Sequence, residues 1–267
     1  MKKIYLTLLL LLVCVVFLLS FLALSPIFEK DKPESSTEEP SSPEEPNSPE
    51  EPSSPEISYD FTKMSYTSVG DSITYGFCGD HSKPPFSYNY PNCVKTSLNM
   101  ESVQNLGACG CLLARHTNPS YTSMIDKIDL IDDSADIISV FGGINDFSTF
   151  VPLGDINSTD EYTVYGALNS IALKLKQLDA FCFFITPLPL DEELLKTIDN
   201  HEYDVIKVCE AMKTIGEKYQ IPVLDLYTLG NFDPDIDSFD GCHPTEEYYL
   251  NELSPLVVDF IRNNYSK

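Results

Sequence analysis

The chain has 267 residues and carries 41 acidic against 17 basic side chains, so its formal net charge is −24 at pH 7. Neither half of the chain shows a cluster of Lys or Arg, which argues against nucleic acid as a partner. The length leaves room for one compact domain with a substantial core, and 43% of the residues are hydrophobic.

The N-terminus carries a long apolar segment. Two lysines precede an uncharged run over residues 4–24, which is about the length that crosses ~30 Å of hydrocarbon as a helix. A cleavable signal peptide has a shorter apolar core and a small-residue cleavage site, and the best such site here is followed by Pro26. We expect residues 1–28 to be an uncleaved anchor in the cell membrane that places the rest of the chain outside, with a secreted form as the alternative.

Residues 29–57 change composition abruptly. Glu-Glu-Pro-Ser-Ser-Pro at 38–43 recurs, with one substitution, at 44–49 and again at 50–55. Proline at every third position excludes helix and sheet pairing, and the glutamates repel one another. We expect a disordered, extended stalk between the anchor and a domain over residues 58–267.

Five short apolar runs of that domain predict β-strands. They cover residues 66–69, 102–105, 137–141, 181–186 and 222–226. Helical patterns lie between them, and strands that alternate with helices indicate a parallel sheet covered on both faces. The sequence therefore predicts an α/β domain, a three-layer α/β/α sandwich around a five-stranded parallel sheet.

Two helices have the clearest pattern. Apolar residues over 164–178 recur at spacings of three and four, with Ser158, Thr159 or Asp160 available to cap the helix start. A second apolar pattern runs over 205–215.

Four short motifs follow the predicted strands and carry the polar residues of acyl-transfer chemistry. They read Ser-Val-Gly-Asp-Ser-Ile-Thr at 68–74, Asn-Leu-Gly-Ala-Cys-Gly at 105–110, Phe-Gly-Gly-Ile-Asn-Asp at 141–146 and Asp-Gly-Cys-His-Pro at 240–244. Each alone is typical of a turn or a helix cap, whereas four in this order are hard to explain as turns. Ligand crevices in such sheets lie beyond the carboxyl ends of the strands, where these motifs fall.

The candidate catalytic residues are Ser72, Asp240 and His243. Ser72 would be the nucleophile and His243 its general base, while Asp240 would fix the imidazole tautomer and stabilise the imidazolium. The short loop between acid and base can fold the carboxylate back onto Nδ1 and leave Nε2 facing the serine. Pro244 biases His243 towards an extended or turn backbone.

These motifs resemble the four blocks of the GDSL, or SGNH, hydrolase family, over about residues 66–267. The resemblance implies the flavodoxin-like fold of that family, an acyl-enzyme on Ser72, and no cofactor or metal. It also implies an oxyanion hole built from the backbone N–H groups of Ser72 and Gly110 and the side-chain amide of Asn145. Gly107 is the alternative to Gly110 in the second motif.

The expected function is that of a membrane-tethered serine esterase, facing outward and acting as a monomer. The substrate class is a neutral ester, either an O-acyl group on a carbohydrate or a short-chain lipid ester. Two alternatives stay open. In the first, a sugar hydroxyl replaces water in the step that releases the acyl group from the serine, and the enzyme is an O-acyltransferase on envelope glycans. In the second, the domain is catalytically inert and serves as a binding protein on a stalk.

The cysteines leave several alternatives. One of the eight lies in the apolar N-terminal run, and the remaining seven cannot all pair within one chain. Cys78 with Cys93 is a conceivable disulfide. A metal site is another hypothesis, because Cys109 and Cys111 precede His116 and Cys242 adjoins His243, although the spacing matches no standard zinc pattern.

Five further polar residues are interpreted as structural. His81, His116 and His201 lack a fitting acidic partner, so we expect them at the surface or in local hydrogen bonds. Asp71 and Asp146 are expected to cap turns and hold the first and third motif loops.

Overall fold

The computed structural model describes residues 59–198 and 203–266. Its strands are β1 (Ser65–Gly70), β2 (Ser102–Asn105), β3 (Ile137–Phe141), β4 (Phe181–Ile185) and β5 (Val223–Leu224). All pair in parallel in the order β2-β1-β3-β4-β5, which is the flavodoxin-like order. The predicted α/β class and five-stranded parallel sheet are confirmed.

Helices fill the connections between the strands. In chain order they are α1 (Ser72–Tyr75), α2 (Tyr90–Ser97), α3 (Met124–Ile128), α4 (Ile144–Ser148), α5 (Val164–Leu175), α6 (Glu192–Thr197), α7 (Val205–Tyr219), α8 (Leu226–Leu229), α9 (Pro234–Asp237), α10 (Glu246–Tyr248) and α11 (Ser254–Asn264), with a π-helical turn at Tyr249–Leu253. Helices α3, α5 and α7 pack on one face of the sheet, and α2 and α11 pack on the other.

Strand β3 shows why the sheet needs both helical layers. All five of its residues are buried, and successive side chains of a strand point to opposite faces. Ile138 and Val140 belong to the core under α5 and α7, whereas Ile137 and Phe141 belong to the core under α2 and α11. Burial on both faces accounts for the near-continuous apolar sequence of this strand.

The first of the two predicted helices differs at its ends. The pattern over 164–178 forms α5, but Thr163 is its cap, with Oγ1 accepting from the Gly166 N–H at 3.1 Å. Ser158, Thr159 and Asp160 do not cap it. Ser158 and Asp160 instead build the preceding turn, in which Asp160 accepts from the Tyr162 N–H at 3.0 Å. The predicted helix over 205–215 is confirmed and continues to Tyr219.

Strand β5 is shorter than the predicted 222–226. Pro222 has no N–H to donate to a ladder, and Asp225 is the N-cap of α8. The Asp225 carboxylate accepts from Thr186 Oγ1 at 3.2 Å and from Lys213 Nζ at 2.8 Å. The chain therefore leaves the sheet after Leu224.

The predicted anchor and stalk lie outside the described residues, as does His201. Within residues 59–198 and 203–266, no helix is both long and apolar enough to span a bilayer.

Candidate active site

The first motif places Ser72 at the carboxyl end of β1. Asp71 is the N-cap of α1, and its side chain accepts from the Ile73 N–H at 2.9 Å. Ser72 is the first residue of that short helix and is 6% exposed. The predicted capping role of Asp71 is confirmed. Because β1 lies between β2 and β3, the serine stands where the strand order reverses.

The fourth motif brings its histidine to this serine across 171 residues of sequence. His243 Nδ1 lies 2.7 Å from Asp240 Oδ2, and His243 Nε2 lies 2.8 Å from Ser72 Oγ. A carboxylate can only accept, so Nδ1 carries the proton and Nε2 accepts from the serine hydroxyl. The three predicted catalytic residues thus form one continuous hydrogen-bonded line.

Hydrogen bonds between backbone N–H groups and side-chain oxygens within the loop hold Asp240 and His243 in place. Asp240 Oδ1 accepts from the N–H groups of Cys242 at 3.1 Å and of His243 at 2.8 Å. Ser238 Oγ accepts from the Gly241 N–H at 2.6 Å, and Gly241 has a φ of 82°. These bonds fix the carboxylate and the imidazole relative to each other.

The second motif is fastened to the first. Asn105 Nδ2 donates to the Thr74 carbonyl at 2.7 Å, and its Oδ1 accepts from the Gly107 N–H at 2.9 Å. The Ala108 N–H donates to the Gly70 carbonyl at 3.1 Å. The N–H of Gly107 is therefore already used inside the protein.

Gly110 differs from Gly107 in its surroundings. It has a φ of 71°, and a side chain built on it would meet nothing within 4 Å, whereas one on Gly107 would lie 2.3 Å from the backbone nitrogen of Tyr75. Asn145 Nδ2 donates to the carbonyl of Cys111, the residue after Gly110, at 3.0 Å. The Gly107 N–H is thus occupied by Asn105, whereas Gly110 directly precedes the residue whose carbonyl Asn145 binds.

Asp146 holds the third motif against the second. Its carboxylate oxygens accept from the N–H groups of Leu113 at 2.8 Å and Ala114 at 2.9 Å, and the residue is fully buried. Its predicted role in holding a loop is confirmed. Burial raises the pKa of Asp146 to about 6, against the lowering effect of the two backbone N–H groups.

Burial also raises the pKa of Asp71, to about 7, and the neighbouring charge of Asp146 adds to the rise. Two carboxyl groups at the base of the site are thus less acidic than usual because water does not reach them.

Comparison with known protein families identifies the family of the chain. The model of the GDSL-like lipase/acylhydrolase family matches residues 68–250, a segment that contains all four motifs. The chain belongs to the GDSL-like lipase/acylhydrolase family. The expected class of enzyme, an ester hydrolase, is thereby confirmed. No curated protein is significantly similar to the chain in sequence.

Several solved structures have the same fold as this protein. A protein from Lactobacillus plantarum is 23% identical, with a TM-score of 0.66 over 77% of this chain and 99% of its own. A possible lipase from Chitinophaga pinensis is 23% identical, with a TM-score of 0.59 over 75% and 98%. A carbohydrate acetylesterase family member from Sinorhizobium meliloti is 16% identical, with a TM-score of 0.57 over 75% and 98%.

A cavity of about 300 Å³ opens between the chain that follows Ser72 and the second motif of this GDSL-family protein. Its walls include Tyr75, Phe77, His81 and Ala108. The cavity thus lies along the segment that follows the nucleophile motif.

The structure also tests the disulfide and metal-site hypotheses and the local role expected of His116. Cys78 and Cys93 are free thiols rather than a disulfide. In the part of the chain that the structure describes, no three His, Cys, Asp or Glu side chains are grouped to hold a metal ion. His116 accepts the Asn118 N–H at its Nδ1 at 3.0 Å, as expected of a locally satisfied residue.

Two residues of the site have no role predicted from the sequence. Asn105 ties the end of β2 to α1, and the Phe239 ring lies on the ring of His243. Because Asn105 is the first residue of the second motif, the sequence does indicate that its side chain has a role, such as the hydrogen bond to α1. Phe239 directly precedes Asp240, but nothing in a lone aromatic residue indicates on which side chain it packs.

The buried carboxyls predict how stability depends on pH. Because the folded pKa of Asp71 exceeds its unfolded value of 3.8, the folded state retains a proton that the unfolded state releases, and stability falls as pH rises from about 4 to 7. Urea unfolding should give a free energy lower at pH 8 than at pH 5, with about 2–3 kcal/mol of the difference due to Asp71. Asp71→Asn, which can still cap α1, should remove the Asp71 contribution to this difference in unfolding free energy.

The matched control is Asp132→Asn. Asp132 is exposed and hydrogen bonds to Ser134 lower its pKa, so it affects stability only below about pH 4 and should leave the difference unchanged. An equal pH dependence in Asp71→Asn and the parent would contradict the assignment.

Proposed function

We propose that the protein is a serine esterase in which Ser72 is the nucleophile, His243 the general base and Asp240 its orienting partner. The observation that carries this proposal is the line of hydrogen bonds of 2.7 and 2.8 Å that joins the three side chains. Triads are recognised by such geometry and roles. The loop bonds to Asp240 support it, because they hold the carboxylate in place before substrate arrives.

In the first step, Ser72 Oγ bonds to the ester carbonyl carbon while His243 Nε2 takes the hydroxyl proton. The imidazolium, paired with Asp240, then gives this proton to the alcohol oxygen as the carbon–oxygen bond of the ester breaks. The alcohol leaves and Ser72 holds the acyl group. Water repeats the sequence, with His243 as base, and releases the carboxylic acid and free Ser72. The chemistry of these residues needs no cofactor.

The oxyanion that forms in each step would be bound by the N–H groups of Ser72 and Gly110 and by Asn145 Nδ2. Support comes from the open space at Gly110 and from Asn145, which uses only one of its two amide hydrogens on Cys111. Donors fixed in advance stabilise the charge without reorganisation during the reaction.

The proposed substrate is a neutral carboxylic ester with a short acyl group, either a carbohydrate O-acyl group or a short-chain lipid ester. The net charge of −24 disfavours anionic polymers. The cavity of about 300 Å³ along the segment that follows Ser72 is at the lower end of the usual size of ligand pockets, which is in keeping with a short group. A protein of the same fold bears the name of a carbohydrate acetylesterase family member.

We further propose that residues 1–28 anchor the protein in the cell membrane and that the esterase domain faces outward. The support is the uncharged run over residues 4–24, preceded by two lysines.

The role of His243 can be tested by kinetics. Ser72→Ala and His243→Ala should each lower kcat by more than about 10³-fold on a short-chain aryl ester, and the double variant should be no worse, since members of a triad act as a unit. His116→Ala, which alters only an exposed local turn, is the control and should keep the parent rate. An active His243→Ala enzyme would remove His243 from the mechanism.

The oxyanion hole predicts a separate effect for Asn145→Ala. The amide should bind the carbonyl oxygen most tightly once it is negatively charged, so kcat should fall by roughly 10²–10³ with little change in KM. A thermal melt should accompany the kinetics, because the variant also loses the bond to Cys111. A well-folded variant with the parent kcat would refute the role, and Asn118→Ala, in an exposed turn, controls for the loss of an amide.

The anchor predicts that the full-length protein pellets with membranes and resists carbonate extraction. Recovery of a soluble form that begins near Pro26 would show cleavage instead. A chain that begins at residue 58 should be soluble and should keep full esterase activity.

A further inference from the structure

Two aromatic rings enclose the imidazole of His243. The Phe239 ring is stacked on it, with 5.7 Å between centroids and 12° between planes. The Phe77 ring meets it edge-on at 4.9 Å and 63°. The two phenylalanine rings also lie 6.3 Å apart. The proposed general base therefore sits in an aromatic corner made by two separate loops.

The backbone explains why Phe239 reaches this position. The Phe239 N–H donates to the His243 carbonyl at 3.2 Å, and Ser238 and Pro244 form an antiparallel bridge. Residues 239 and 243 therefore lie opposite each other in the tight loop. The Phe239 ring also lies close to Gly79, where an added side chain would approach Phe239 Cε2 to 3.1 Å.

Phe239 is not a core residue. Its exposed fraction is 42%, while one face of the ring lies on the imidazole. An apolar ring held in place and left open to solvent beside catalytic groups is a surface available to a ligand. Phe77 is in turn fixed to the nucleophile loop, because its N–H donates to the Ser72 carbonyl at 3.0 Å.

The mechanism decides which part of the substrate meets this surface. His243 Nε2 must hand its proton to the leaving alcohol oxygen, so the alcohol stands beside the imidazole. The carbonyl oxygen points away, towards Gly110 and Asn145. This step rests on the proposed function.

We propose that Phe239 is a specificity-determining residue that forms the leaving-alcohol subsite, and that the subsite accepts a neutral sugar ring. The flat face of an aromatic ring packs well against the C–H face of a pyranose, as it does against other flat groups. Asp235 and Asp237 in the preceding helix add negative charge close to this loop in sequence, which disfavours an anionic alcohol. A flexible open-chain alcohol would lose more conformational entropy on the same surface.

The test compares two acetate esters of primary alcohols, a methyl glucopyranoside acetylated on its primary hydroxyl and monoacetylglycerol. The parent should show the higher kcat/KM for the ring ester. Phe239→Ala should lower the ratio of the two values by about three- to tenfold, chiefly through KM for the ring ester. Weaker packing on His243 would lower kcat/KM for both esters alike, so this effect cancels in the ratio. Phe239→Tyr should restore the parent ratio.

Ile236→Ala is the matched control, because Ile236 is an exposed apolar residue of helix α9, which directly precedes the loop, at 73% exposure, and it should keep the parent ratio. Equal losses for both esters in Phe239→Ala, or no preference in the parent, would overturn the subsite. A parent that hydrolyses neither of these esters nor a short-chain aryl acetate would overturn the proposed function itself, which is a distinct result.

Discussion

The site depends on the two hydrogen bonds that the buried carboxylate of Asp146 accepts from backbone N–H groups. A buried charge is costly unless hydrogen bonds compensate it, and the two buried N–H groups would also cost free energy if left unpaired. Leu113 and Ala114 therefore cannot move away from the start of α4 without exposing both partners to that cost. Since Gly110 and Asn145 lie on the two segments joined in this way, their relative position is fixed before a substrate binds.

Compensation of these charges is incomplete, and the pKa values show it. Asp71 and Asp146 both have raised pKa values, with burial as the largest cause. The folded protein thus gives up stability at neutral pH to keep two buried carboxyls in the loops of the first and third motifs. Such local cost at a site is expected where precise placement matters for the reaction.

Much of this arrangement follows from the sequence, because local signals decide it. Apolar strands as short as 137–141 can only be buried on both faces, and the motifs that follow β1, β2 and β3 must meet at one edge of a parallel sheet. The short Asp240–His243 loop likewise leaves the carboxylate few places other than the imidazole. The parallel sheet and the pairing of Asp240 with His243 were therefore predictable from the sequence, whereas the end of β5 and the cap of α5 were not.

What the sequence does not determine is the choice among equivalent local partners. Thr163 rather than Ser158 caps α5, because the preceding turn occupies Ser158. Cys78 and Cys93 remain thiols, and no spacing rule separates these outcomes. The stack of Phe239 on His243 brings the ring close to Gly79 in another loop, a proximity that only the tertiary structure provides.

We propose that Ser72 is a nucleophile activated by His243. A fluorophosphonate probe reacts with an activated serine and not with ordinary ones, so the most direct measurement is labelling of the parent followed by mass spectrometric location of the modified residue. One stoichiometric adduct on Ser72, lost in His243→Ala, is the predicted result. A folded parent that stays unlabelled, or an adduct on another serine, would contradict the account.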